Sequence, residues 1–297
     1  MNSQIKFGFG AAIALFVIGQ LSASAAPAEA NSLKPPAKGD IPIAFVISEG
    51  AVVIDFCGPW EVFRDVMVSG GDHPFRLYTV SDKTDPITAG GGMKIVPNYT
   101  FADAPAPKVI VIPAQSEPSA AMLKWIREST KNTDVTMSVC TGAFVLAKTG
   151  LLSGKSATTF HAAFGTFAMQ FPDIKLKRGV RFVEDGNLAS AGGLSSGIDL
   201  ALRVVERYYG RDVAQKTAYN MEYQGQGWMN ADSNQIYAAA PVSTEEHPLC
   251  PVCGMDVDVA TAPKSVFKGK TYYFCSDDDK KTFDSAPDKF ADATLRR

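Results

Sequence analysis

Short apolar runs alternate with amphipathic stretches along most of this chain. The runs 41–48 (IPIAFVIS), Val109–Ile112 (VIVI) and Val135–Val139 (VTMSV) are brief and almost wholly apolar. That is the pattern of strands covered on both faces. Residues 75–80 read as another strand, and 180–183 and 188–191 as two short strands joined by the turn 184–187. Between these runs the period changes. Residues 119–130 place Met122, Leu123, Trp125 and Ile126 on one helical face, and 198–209 form a second amphipathic helix closed by Gly210. A helix is expected to open at Gly58-Pro59, with proline in its first turn. Others are expected over 160–171, closed by Pro172, and over 213–223. The Gly-rich stretch 86–97 reads as a hairpin or flap. Strands alternating with helices predict an α/β fold built on a doubly wound parallel sheet.

One junction in this pattern carries chemistry. In 135–146 (VTMSVCTGAFVL) the apolar run ends at Val139, Cys140 follows, and a helical pattern starts at once with Ala143, Phe144 and Leu146. Ser138 and Gly142 keep the neighbourhood small, as a sharp strand-to-helix turn requires. This is the layout of a nucleophile elbow with cysteine in place of serine. The following helix N-terminus is expected to favour thiolate. A buried structural cysteine at the start of a helix fits the same letters.

Charge and cysteine count narrow the picture. Lys plus Arg number 29 against 31 Asp plus Glu, a net charge of -2, which carries no nucleic-acid footprint. The five cysteines are odd in number, so at least one is unpaired or otherwise engaged. Cys57 and Cys140 stand alone, whereas Cys250, Cys253 and Cys275 cluster late. At the start of the chain Lys6, the apolar stretch 7–18 and Ala23-Ser24-Ala25 make a signal peptide with a cleavage site. The expectation is a mature protein beginning near Ala26, periplasmic or secreted, with no stable membrane insertion after cleavage. The expected organisation is a signal peptide over 1–25, a disordered leader over 26–40 and a main domain over 41–228. A linker over 229–246 and a compact C-terminal module over 247–293 complete it.

Three stretches of the main domain carry a family resemblance: DFCGPWEVF, SVCTGAFVLAKTGLLSGKSATTFH and SAGGLSSGIDLALRVVERYYG. They resemble the ThiJ/PfpI superfamily, with its flavodoxin-like, class I glutamine-amidotransferase-like fold. The nearest branches are the isonitrile-hydratase-like enzymes and the sensor domains of AraC-type regulators. The resemblance implies an acidic partner for the elbow cysteine, which falls on Asp55, and makes Thr141, next after Cys140, part of the site. Protease-like members carry histidine at that position; Thr141 points to the hydratase-like branch. His161 falls near an active-site histidine of some members. Asp55 also fits as an N-cap for the helix expected at Pro59, Thr141 as a cap of the elbow helix, and His161 as a structural histidine. A glycine pair whose N–H helps form an anion hole in the family is here Ala114-Gln115. A homodimer and a small-molecule substrate are implied by the resemblance, and no cofactor for the main domain.

The C-terminal module resembles a YHS domain: Cys250-x-x-Cys253-Gly254-Met255, then YYFCS around Cys275, then Phe283, Pro287 and Phe290. This implies a metal ion, zinc or copper, held by Cys250, Cys253 and Cys275 with Asp279 or His247 as fourth ligand. A Cys250–Cys253 disulfide is the alternative in an oxidising compartment. Asp277, Asp278 and Asp279 also suit a helix start. A metal-binding module replaces the DNA-binding domain of AraC-type regulators, so no nucleic-acid partner is expected.

The expected function is that of an exported cysteine-dependent hydratase or lyase acting on a small electrophile. The alternative is a non-catalytic metabolite- or metal-binding protein, or a redox stress protein in which Cys140 is oxidised.

Overall fold

The computed structural model describes residues 32–239, 243–244 and 246–291. The expected signal peptide over 1–25 lies outside them. Among the described residues no helix is long and apolar enough to cross a membrane.

Seven strands form the central sheet: β1 (Ile41–Val46), β2 (Phe75–Ser81), β3 (Tyr99–Thr100), β4 (Val109–Ile112), β5 (Val135–Val139), β6 (Phe182–Asp185) and β7 (Leu188–Ala191). Their spatial order is β6-β7-β5-β4-β1-β2-β3. All neighbours are parallel except β6 and β7, which form an antiparallel hairpin at one edge. The register sets Ile43 beside Val109 and Val109 beside Val135. Strand periodicity then divides the core in two. Ile41, Ile43, Phe45, Val109 and Val111 face one side, against α1 (Val53–Asp65), α5 (Ser196–Tyr209) and α6 (Arg211–Asn220). Ala44, Val46, Ile110 and Ile112 face the other, against α2 (Ala120–Ser129), α3 (Gly142–Lys148) and α4 (Phe164–Gln170). This is the doubly wound α/β fold that the pattern predicts.

Two elements differ from expectation in ways that matter for the site. Helix α1 begins at Val53, not at Gly58, and Pro59 lies inside it. Proline's φ suits a helix, and the hydrogen bond it forfeits is the one to the Asp55 carbonyl, back in the first turn. Asp55 is therefore not an N-cap: Val52 holds that position, and Asp55 sits in the first helical turn. Residues 160–171 start as a 3-10 turn, His161–Ala163, before α4 begins. The Gly-rich stretch is a hairpin, as expected, pairing Ile87–Thr88 with Lys94–Ile95.

The polar segment after the main domain is partly docked. Trp228 is buried and its N–H donates to Asp199 Oδ1 at 3.0 Å. The Ala231 carbonyl accepts from the Arg181 N–H at 2.6 Å, and Gln235 Nε2 donates to the Gly179 carbonyl at 3.1 Å. Such polar docking onto a loop leaves no apolar period to read. Of the expected leader, Leu33 donates its N–H to the Arg207 carbonyl at 2.7 Å and packs on the core.

The C-terminal module is a hairpin of β8 (Lys264–Phe267) and β9 (Lys270–Tyr273), followed by α7 (Asp277–Ser285) and α8 (Pro287–Ala291). Tyr272, Phe274, Phe283 and Phe290 make its own small core with Cys250 and Val257. Ser276 caps α7, accepting from the Asp279 N–H at 3.1 Å.

Candidate active site and thiolate cluster

Four strand ends meet at the carboxyl edge of the sheet. Strand β1 leads to Asp55, β4 to Ala114, β5 to Cys140 and β7 to Gly192-Gly193-Leu194. Strands β1 and β4 are neighbours from which the chain winds in opposite directions, the place where open α/β sheets bind ligands.

Cys140 has φ 57°, in the left-handed region that L-residues other than glycine rarely occupy. The strain is held by bonds on both sides. Its N–H donates to the Gly192 carbonyl at 2.9 Å, and its carbonyl accepts from Thr159 Oγ1 at 2.9 Å. Gly142 is required as well: a Cβ there would stand 2.2 Å from the Ile112 carbonyl oxygen. The elbow expected from the sequence is therefore present.

Asp55 is fully buried. Its Oδ2 accepts from the Ala114 N–H at 3.1 Å, while Ala114's carbonyl accepts from the Val52 N–H at 2.8 Å. The β4 loop is thus tied to α1 on both sides. Of the two residues at the position of the family's glycine pair, Ala114 spends its N–H on Asp55. Oδ1 has no hydrogen-bond partner, and the side chain that bears on the ionisation of this carboxyl group is Cys140. Burial raises the Asp55 pKa to about 6, against the Ala114 and Cys140 hydrogen bonds, which lower it. Burial raises Cys140 to about 12, and the Asp55 charge adds to this; the N–H groups of Thr141 and Leu194 and the Thr141 hydroxyl pull the other way. The expectation that the helix N-terminus lowers the thiol pKa is overturned. Helix α3 is short, and desolvation next to a carboxylate outweighs it. At neutral pH one proton is shared by the pair and rests on sulfur.

The structure thus joins Asp55, Cys140 and Thr141. It gives His161 different company: its ring lies 4.4 Å from Phe160 and 4.7 Å from Tyr237, and burial lowers its pKa. Leu194 is the group that reading the residue types misses, because it acts through its backbone. The signal is the Gly192-Gly193 pair before it: a Cβ on Gly193 would stand 2.8 Å from the Phe160 ring, and Leu194 itself has φ 25°. Beside the elbow lies a cavity of about 300 Å³, with Gln115, Thr141, Phe144, Thr166 and Gln170 in its wall. Its remaining wall includes Cys253 of the C-terminal module.

In that module Cys250, Cys253, Cys275 and Asp279 bring one ligand atom each within 4.8 Å of one another. Cys253 Sγ and Cys275 Sγ are 3.3 Å apart, and Asp279 Oδ2 lies 3.3 Å from Cys250 Sγ and 3.1 Å from Cys275 Sγ. Around a tetrahedral ion with bonds of about 2.0–2.3 Å, ligand atoms stand roughly 3.5 Å apart, between the short separations above and the 4.8 Å bound, so the donor set fits with small side-chain adjustments. Asp279, not His247, completes it. All five cysteines are free in this structure. The Cys250–Cys253 hydrogen bond draws the proton to Cys253, holding Cys250 down to about 7 and pushing Cys253 up. Burial pushes Cys275 up to about 12.

Comparison with known proteins covers the two domains that carry these residues. The DJ-1/PfpI family matches residues 42–207, and the YHS domain matches residues 250–294. An isonitrile hydratase of Pseudomonas putida is 34% identical over 186 residues, spanning 61% of this chain and 78% of that protein. An HTH-type transcriptional regulator, CdhR, of Pseudomonas aeruginosa is 26% identical over 176 residues; the match spans 57% of this chain and only 51% of the regulator. Among solved structures, a ThiJ/PfpI family protein from Pseudomonas syringae is 28% identical with TM-score 0.57, covering 65% of this chain and 79% of that one. Drosophila melanogaster DJ-1beta, 19% identical, shares the fold with TM-score 0.54 over 63% of this chain and 100% of its own. The chain belongs to the DJ-1/PfpI family and carries a YHS domain at its C-terminal end.

Proposed function

We propose that this protein is a cysteine-dependent hydratase that adds water to a small isonitrile and releases an N-substituted formamide. The observation that carries the reading is the buried Asp55–Cys140 pair with the N–H groups of Thr141 and Leu194 turned toward the thiol. Asp55, ionised above pH about 6, takes the thiol proton as Sγ bonds to the terminal isonitrile carbon. The two N–H groups hold the charge that develops on sulfur. Asp55 returns that proton to the same carbon, giving a thioimidate. It then takes a proton from water as the hydroxyl adds to this carbon and passes that proton to the nitrogen, and the hydroxyl proton moves through Asp55 to sulfur in the last step. Collapse breaks the C–S bond, restores the thiol and frees the formamide. Protons and electrons balance with water as the sole co-substrate.

The test is formamide production from an alkyl isonitrile, followed by mass spectrometry. Cys140→Ala is expected to reduce turnover to background with the melting temperature kept. Asp55→Asn is expected to cost about 10²- to 10⁴-fold. Unchanged turnover in Cys140→Ala removes the cysteine mechanism. The buried, protonated state of Cys140 favours one other reading, a metabolite-binding or redox stress protein: wild type would then bind the isonitrile tightly and form no formamide.

The same reading gives the YHS domain a zinc or copper ion on Cys250, Cys253, Cys275 and Asp279. The ion would lock the small module's fold. It also makes residues 1–25 a cleaved export signal. Periplasmic protein whose intact mass starts near Ala26 supports export; retention of Lys6 in the folded protein defeats it.

A further inference from the structure

The module meets the main domain at its ligand turn. Thr166 of α4, mostly buried, donates its hydroxyl to the Val252 carbonyl at 2.8 Å. Val252 lies between Cys250 and Cys253, so the main domain holds the middle of the segment whose two ends carry the thiolates. The same turn separates two voids. On one side is the cavity of about 300 Å³ above Thr141, which Cys253 helps to wall. On the other is a cavity of about 540 Å³ lined by Met169, Phe171, Val252 and Phe290 among others. Within the module the turn is closed by the Cys250 N–H to the Met255 carbonyl and the Gly254 N–H to the Cys250 carbonyl, both at 2.8 Å, and across to the main domain its hydrogen bond is the one from Thr166.

We infer that Thr166 is a positioning residue for the thiolate cluster, and that the turn it grips is a wall of the ligand cavity, so that metal loading and cavity occupancy are coupled. An ion bound by Cys250 and Cys253 fixes both ends of the turn and so fixes the face that Cys253 presents toward Thr141. The cavity suits a small, uncharged ligand. Phe144, Val145 and Ala163 give it an apolar body, Gln115 and Gln170 offer amides, and its two charged groups, Glu117 and Lys148, neutralise each other at 2.5 Å. Coupling between two sites is reciprocal, so a ligand that binds the braced wall more tightly must also tighten the ion.

The experiment uses the full chain with Cys140→Ala, which cannot turn over, as the parent. Zinc affinity is measured by competition with a chromophoric chelator, and n-butyl isonitrile binding by calorimetry with and without zinc. Adding Thr166→Val is expected to weaken zinc about threefold to tenfold, the loss of one buried hydrogen bond, while Thr166→Ser keeps it within about twofold. Isonitrile affinity is expected to fall severalfold on zinc removal in the parent and to lose that dependence in Thr166→Val. Equal zinc affinity in the parent and in Thr166→Val overturns the inference, as does absence of zinc binding in the parent. The ligand arm rests on the isonitrile reading and the zinc arm does not. If isonitrile fails to bind in either state while Thr166→Val still weakens zinc, the substrate reading falls and the grip on the turn stands. Should valine disturb the packing of α4, Thr166→Ala reads the same arm, with far-UV circular dichroism reporting the fold.

Discussion

At the scale of single residues, the site runs on a carboxyl group kept in an unfavourable place. An ordinary aspartate ionises near 3.8, and Asp55 does so near 6 because it is buried. Below pH 3.8 it is protonated in folded and unfolded chains alike. Between 3.8 and 6 the folded chain holds a proton that the unfolded chain has released, so stability falls as pH rises through this window. The loss is about 3 kcal/mol at roughly 1.4 kcal/mol per pK unit, and it persists at higher pH. Asp55→Asn keeps an acceptor for the Ala114 N–H and removes the titration. Urea unfolding from pH 4 to pH 8 is expected to show the variant gaining on wild type as pH rises. A constant gap would show that Asp55 is not strained by ionisation. The same substitution removes a charge that disfavours thiolate. Alkylation of Cys140 by iodoacetamide at pH 8, followed peptide by peptide, is expected to be faster in Asp55→Asn than in wild type; a slower rate would mean that Asp55 activates the resting thiol.

At the scale of elements, the elbow depends on how closely α3 follows β4. Gly142 stands against the Ile112 carbonyl and Pro113 backbone, and backbone cannot step aside as a side chain can. Gly142→Ala is expected to destabilise by about 2 kcal/mol or more, read as a lowered urea midpoint; an unchanged midpoint would mean that α3 can slide off the strand end. Much of this was legible in the letters. β1, β4, β5 and α5 announce themselves by clean periods, and the small residues around Cys140 announce the turn. The start of α1 was not legible, because a proline inside a helix reads as its beginning. Strand β3 was too short, at two residues, to show a period. The pairing of Cys140 with Asp55 came from family resemblance, since nothing local links residues so far apart. The Leu194 N–H was hidden because a backbone donor leaves no residue type to read, and the thiol's raised pKa was hidden because burial is a property of the assembled fold.

At the scale of the whole molecule, a large α/β domain carries a module that has little core of its own. Six buried side chains, Phe283 among them, hold it, too few for much independent stability. Chelation of the zinc-loaded protein is expected to split calorimetric unfolding in two, with a low-temperature transition that added zinc removes and that Cys253→Ser shows with or without zinc. A single transition insensitive to chelator would mean that the module is stable without an ion. The backbone at Cys140 has a consequence of another kind. Its left-handed φ of 57° costs a side-chain-bearing residue about 1 kcal/mol that glycine does not incur. Among random variants chosen only for remaining folded, position 140 should therefore drift toward glycine. Among variants chosen for what the site does, it should not. The residue the chain places there is a poor choice for folding, and comparing the two selections would measure how much the thiol is worth to the organism.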